Sequence, residues 1–288
     1  MNHNLIYDVG MHNGDDTAYY LSQGFDVIAI EADPSLVKNA QLRFSDEIMT
    51  NRLNIVAAGV SDNEGTVDFW ICDDNTEWNS FSKEISSREG GKCHMIQIET
   101  IDFKSILEKY GIPYFMKVDI EGNDILCLKG IDKDEKPKFI STECECVDDQ
   151  GHTGQSKDGL HALSILFELG YNKFKLINQR TFYSYKKKPD LVGKFIYLAH
   201  RIFYNPFMRS LPGAVTIAQK LTTRGRLESK INYIFPMGGS GPWGNDTYGG
   251  WVCFDEAKSI YNEQKKIFEN GPGKTRPYAF WCDWHATY

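Results

Sequence analysis

The sequence predicts an α/β fold in which a mostly parallel central sheet carries helices on both faces. Three observations carry this. Short apolar runs recur along the first two thirds of the chain, capped helical stretches alternate with them, and several runs end in an acidic residue. Strands buried on both faces read as apolar throughout, and a repeated strand–helix alternation makes a parallel sheet. Such sheets bind ligands beyond the C-terminal ends of their strands, where Asp8, Glu31, Asp62, Asp119 and Glu143 are expected to gather.

The first run, Leu5, Ile6, Tyr7 and Val9, breaks at Gly10 and Gly14 and leads into a helix beginning near Asp15. Strand, glycine turn and helix together present backbone N–H groups to a ligand. A second buried strand covers 26–31, and Asp33 with Pro34 supplies an N-cap and helix-opening proline for a helix reaching Met49. Residues 53–60 read as a third strand closed by Ser61 and Asp62, 63–65 as a turn, and 66–71 as a half-exposed strand. The polar stretch 73–91 reads as a mobile loop, 95–98 as a short strand, and 102–110 as a helix stopped by Gly111 and Pro113. Another buried strand ends at Asp119, a helical segment spans 120–128, and residues 139–143 form a further strand. A helix over 159–169 stops at Gly170, and a strand begins at Lys173. A glycine-rich loop covers 238–250 and a helix 254–269.

A chain of 288 residues with 41% hydrophobic content can bury one large core. A mean hydropathy of −0.42 argues for a soluble protein. The first strand starts so early that no signal peptide is expected, and no apolar run reaches the roughly 18 residues of a membrane span. The seven cysteines are dispersed apart from Cys144 and Cys146, which reads as reduced thiols in a cytoplasmic protein. The net charge of −7 is uneven. Residues 186–230 hold ten basic residues against Asp190 and Glu228, a charge of +8, which leaves −15 on the rest. An acidic body is not built to grip nucleic acid. The window belongs to a basic helical insertion or lid over 183–237 within a single 1–288 domain. It can pack on the core or make peripheral contact with an anionic membrane surface.

The turn is spaced G-x-x-x-G, not the G-x-G-x-x-G of dinucleotide-binding folds. Asp15 and Asp16 suit the positive helix end but would repel a pyrophosphate there, so the turn favours a cationic ligand without phosphates. S-adenosylmethionine, with its sulfonium and ammonium groups, meets that description.

Five pieces resemble the FkbM family of S-adenosylmethionine-dependent methyltransferases. They are Asp8–Gly10 with Gly14 and Thr17, Ile30–Pro34, Lys117–Gly122, Gly239–Asp246, and the terminal Trp281, Asp283, His285 and Ala286. The family pattern usually has Asn where this chain has His12. The resemblance implies a Rossmann-like class I methyltransferase fold and methyl transfer to oxygen on a sugar or natural-product hydroxyl. Cofactor-binding residues are then expected among Asp8, Gly10, His12, Asn13, Gly14, Thr17, Glu31, Ala32, Ser61, Asp62 and Asp119. Within that set the glycines let the backbone approach the methionine moiety, Glu31 accepts from both ribose hydroxyls, and Asp62 takes the adenine amino group. Asp119, His12 and His152 are the catalytic candidates, and Asp119 with Glu143 can hold Mg²⁺ through oxygen ligands. The acceptor is a small molecule or carbohydrate, and Lys186, Lys187 and Lys188 hint that it carries phosphate. Two other readings stay open: an NAD-dependent oxidoreductase on the same kind of sheet, and a non-catalytic S-adenosylmethionine-binding protein.

Overall fold

Leu5, Ile6, Tyr7 and Val9 are all buried, and the strand they form pairs on both edges, with Tyr7 opposite Ile28 on one side and Met116 on the other. The computed structural model describes residues 1–62, 64–87, 90–147, 159–188, 190–191, 194–195, 223–236, 238–270 and 280–288. The chain divides into two compact units, Met1–Thr142 with Glu168–Gly170, and Glu143–Phe167 with Tyr171–Tyr288.

In chain order the strands that begin in the first unit are β1 (Asn2–Val9), β2 (Asp26–Glu31), β3 (Leu53–Ala57), β4 (Gly59–Val60), β5 (Gly65–Cys72), β6 (Cys93–Ile101), β7 (Pro113–Val118) and β8 (Phe139–Val147). The main sheet runs β3-β2-β1-β7-β8, and each of these pairings is parallel. From β1 the chain first builds outward through β2 to β3, then returns to place β7 on the other side of β1. The strand order therefore reverses between β1 and β7, where an open α/β sheet forms its crevice. The expected third strand over 53–60 is two strands, because Gly59 and Val60 leave β3 and pair with β6 in a separate sheet of order β4-β6-β5.

The helices of this unit are α1 (Asp15–Ser22), α2 (Pro34–Arg43), α3 (Ser45–Met49), α4 (Lys83–Ser86), α5 (Phe103–Tyr110) and α6 (Asp124–Lys129). Asp33 caps α2 by accepting from the Ser35 N–H at 2.7 Å, and Asp102 caps α5 through the Ser105 N–H. The helix expected to run from Pro34 to Met49 is broken at Phe44, whose φ of −114° and ψ of 30° are not helical. Its ring is buried, and a Cβ on Gly14 would lie 2.6 Å from it. The break seats this ring beneath the glycine turn.

In the second unit the strand order is β8-β10-β9, where β9 (Lys173–Asn178) and β10 (Phe280–Thr287) are antiparallel. β10 was not expected from the sequence. Trp284 on it donates its indole N–H to the Gly159 carbonyl at 2.7 Å, tying it to the helix Gly159–Glu168. A helix over Phe254–Asn270 packs on β9. Among the described residues no helix is long and apolar enough to cross a membrane.

Candidate active site

The end of β1 meets the end of β7 at the reversal point, where the Asp119 N–H donates to the Val9 carbonyl at 2.9 Å. Gly10 adopts φ 85°, and a Cβ placed on it would lie 1.8 Å from the Asp119 carbonyl oxygen. Gly10 is thus demanded by the close approach of two strand ends. At Gly14, with φ 80°, the Phe44 ring fills the space a side chain would need. Each of these glycines makes room for another part of the chain.

The turn's N–H groups are also largely spent at home. Gly10 and Met11 both donate to the Ile30 carbonyl at 3.0 Å, Gly14 donates to Met11, and His12 donates to the Glu31 carboxylate at 2.7 Å. The free N–H cradle expected of this turn is therefore not the feature it offers. The turn offers Glu31 instead. This carboxylate ends β2, is buried, and also accepts from the Asp33 N–H at 2.8 Å. Burial pushes it up to about 7, against the opposing pull of those N–H groups.

Beneath the turn lies a buried charge cluster. Lys117 on β7 donates to Asp8 at 3.3 Å and to the Gly10 carbonyl at 3.1 Å, and its ammonium sits 3.2 Å from Asp16 and 3.9 Å from Asp119. Thr17 donates to the other Asp8 oxygen at 2.6 Å. Burial acts to lower the Lys117 amine, yet the three carboxylates around it hold it well above its ordinary value. Asp8 and Thr17, expected among the ligand-binding residues, are fully buried and bonded to each other, so they support the turn from below. The charge argument drawn from Asp15 and Asp16 also needs correction. Arg43 pairs with Asp15 at 2.9 Å and Lys117 with Asp16, so neither stands as a bare charge.

The stretch expected as a mobile loop contains a 3₁₀ turn, Thr76–Trp78, and α4, and it is pinned to three strand ends. The Thr76 hydroxyl lies 2.7 Å from His12 Nε2 after β1. Asn79 donates to Asp33 at 2.9 Å after β2 and accepts from the Cys72 N–H. Ser80 donates to the Glu121 carbonyl at 2.8 Å after β7. This strap of 75–82 borders the site, and periodicity gave no sign of it. His12 has φ 52°, the left-handed region that histidine, like asparagine, tolerates better than most residues. Burial lowers its imidazole, so it is neutral near pH 7.

Asp119 is an acid of the site with partial access, its side chain 25% exposed. The loop after it is shaped by Asp124, which accepts from the Ile120 and Gly122 N–H groups. Asn13 is exposed and accepts from the Asp15 N–H, and Ala32 is half-buried beside Glu31. Ser61 is half-buried at the end of β4, and Asp62 is exposed on the turn toward β5 in the smaller sheet. Glu143 is buried and belongs to the second unit. His152 and residues 196–222 of the basic window lie outside the described residues. Lys186 is paired with Asp190 at 2.5 Å, whereas Lys187 and Lys188 are exposed.

Lys117 was legible in principle: a lysine inside an otherwise apolar buried strand must find partners. No comparable signal marks Thr76, Asn79 or Ser80.

Among solved structures, the chain is similar to methyltransferase FkbM from Methylobacillus flagellatus KT, at 18% identity and a TM-score of 0.42, over 61% of this chain and 40% of that one. It is also similar to a SAM-dependent methyltransferase from Geobacter sulfurreducens in complex with S-adenosyl-L-homocysteine, at 11% identity and a TM-score of 0.35, over 99% and 84% of the two chains. The chain thus spans two fifths of the Methylobacillus protein, and likenesses this distant carry no weight for its chemistry. No curated protein matches it. A family model described as the methyltransferase FkbM domain matches residues 8–173, which is more than half of the chain and includes the glycine turn, Glu31, the strap, Lys117 and Asp119; the chain belongs to the FkbM methyltransferase family.

Proposed function

We propose that this chain is an S-adenosylmethionine-dependent O-methyltransferase acting on a hydroxyl of a carbohydrate or secondary metabolite. One observation carries the reading: Glu31, buried at the end of β2 beside the reversal point, with both oxygens oriented by backbone N–H groups. A carboxylate has about four acceptor directions, so capacity remains for ribose hydroxyls after His12 and Asp33 are served. The residues present therefore fit the nucleoside part of the cofactor.

When bound, the cofactor supplies an electrophilic methyl on sulfur; the acceptor oxygen forms the new C–O bond as the C–S bond breaks, leaving S-adenosylhomocysteine. The chain's part is orientation and removal of the hydroxyl proton. Asp119 is the group proposed to accept that proton, being a partly exposed acid directly after β7. The Lys117 ammonium, shared with Asp8 and Asp16, lies 3.9 Å from it. His12 is assigned to positioning, because its ring is engaged with Thr76 and its N–H with Glu31. The dinucleotide reading is disfavoured by the turn's internally bonded N–H groups, which leave little to cradle a pyrophosphate.

Calorimetry tests the proposal. The protein takes up S-adenosylmethionine and not NAD, Glu31→Ala loses that uptake, and S-adenosylhomocysteine is released with a hydroxylated acceptor. Uptake of NAD alone overturns the assignment, and uptake without turnover on a broad acceptor panel leaves the non-catalytic binding protein. Dependence of turnover on a divalent cation is a separable part of the proposal. Loss of turnover in EDTA with recovery in Mg²⁺ supports it, and unchanged turnover removes the metal.

A further inference from the structure

On the second unit, Lys175 of β9 stands directly opposite His285 of β10 in the antiparallel register. Both side chains are 2% exposed. The glycine-rich loop closes over the lysine: its ammonium donates to the Thr247 hydroxyl at 2.7 Å and reaches the Thr247 carbonyl at 3.4 Å, and it lies 4.3 Å from the centre of the Trp251 ring. Thr247 is itself fixed by donating to the Gly244 carbonyl at 2.7 Å. Burial alone lowers the Lys175 amine to about 8, so it remains mostly charged near pH 7 with no carboxylate acting on it among the described residues. The acid on the same face of β10, Asp283, accepts from Gln179 Nε2.

His285 is the second half of the cluster. Neither ring nitrogen has a hydrogen-bond partner among the described residues. Burial first, and the Lys175 charge second, lower the imidazole to about 3, so it is neutral and carries one N–H donor. The pair therefore combines a buried cation lacking a counter-charge with a buried N–H lacking an acceptor. Each deficit is costly, and both are met by one object, a negatively charged oxygen. A water molecule satisfies the imidazole but leaves the ammonium uncompensated.

We propose that Lys175 and His285 hold a small oxyanion, a carboxylate or phosphate group, with Thr247 fixing the ammonium and Trp251 walling the site. This is a binding site of the second unit, independent of the methyl-transfer reading.

Thermal unfolding of the full chain at constant ionic strength tests it, with sodium phosphate and sodium acetate each compared with sodium chloride. At least one oxyanion raises the midpoint by about 3 °C over chloride. An effect of phosphate alone assigns a phosphate group, and an effect of acetate alone a carboxylate. Lys175→Met and His285→Phe each abolish the increment. Should either variant fail to fold, nitrogen-15 histidine spectra of the wild type supply the second readout, since the effective oxyanion must shift the His285 imidazole signals. The proposal is overturned by equal midpoints in all three salts, by an increment that survives in both variants, or by His285 signals that do not move.

Discussion

Glu31 is the residue on which the cofactor reading is most exposed to experiment, because its ordinary value of 4.5 is raised to about 7 by burial. A protonated carboxyl loses acceptor capacity and gains a donor, which ribose hydroxyls do not need. Affinity for S-adenosylmethionine should therefore fall as pH drops below about 7, approaching tenfold per pH unit, as calorimetry over a pH series would read. The linkage to folding has the opposite sense. Between 4.5 and about 7 the native state holds a proton that the unfolded chain releases, so this group's contribution to stability without cofactor decreases as pH rises through that window. Gly10 makes a sharper residue-scale case. A methyl there lies 1.8 Å from a backbone oxygen, and its φ of 85° is unfavourable to alanine. Gly10→Ala should cost more than about 3 kcal/mol in denaturant unfolding. A loss under about 1 kcal/mol would mean that β1 and β7 part more readily than this packing allows.

The strap of 75–82 matters as an element because its contacts reach the segments following three strands of one sheet. Those contacts differ in weight. Asn79 is buried and serves a carboxylate and a backbone N–H, so Asn79→Ala should cost about 2 kcal/mol of stability. Thr76 is exposed, and its bond to His12 contributes little to folding. Thr76→Val should leave unfolding within about 0.5 kcal/mol of wild type while speeding cofactor dissociation several-fold in stopped-flow measurements. An unchanged dissociation rate would show that the strap does not border the nucleoside. The same element marks where sequence reading runs out. β1, β2 and β7 were legible because a mostly apolar run with an acid at or beside its end suits a buried strand and little else, and the Asp33-Pro34 cap fixed the start of α2. The strap was not, since its order comes from single hydrogen bonds to residues 41, 46 and 64 positions away. The break at Phe44 and the departure of Gly59 from β3 have the same cause, a distant packing partner overriding a local pattern.

At the scale of the whole molecule, charge is unevenly distributed along the chain. An overall −7 conceals a +8 sequence window at 186–230, and a segment of that sign is suited to attract an anionic group on the acceptor. Within the window the residues are not equivalent. Lys186 is already paired with Asp190, and Arg224 pairs with Glu228 at 3.0 Å and donates to two backbone carbonyls, so both act in the architecture of the second unit. Lys187 and Lys188 are exposed and are the better placed to meet a phosphate from solvent. If the acceptor carries phosphate, Lys187→Gln with Lys188→Gln should raise its KM by about three- to tenfold while leaving S-adenosylmethionine affinity unchanged. The difference from wild type should shrink as salt is raised from about 50 to 500 mM, because the Debye length that screens exposed charges contracts from more than about 10 Å to a few ångströms. A KM indifferent to both the substitutions and the salt would make the acceptor uncharged and leave the basic window a feature of folding alone.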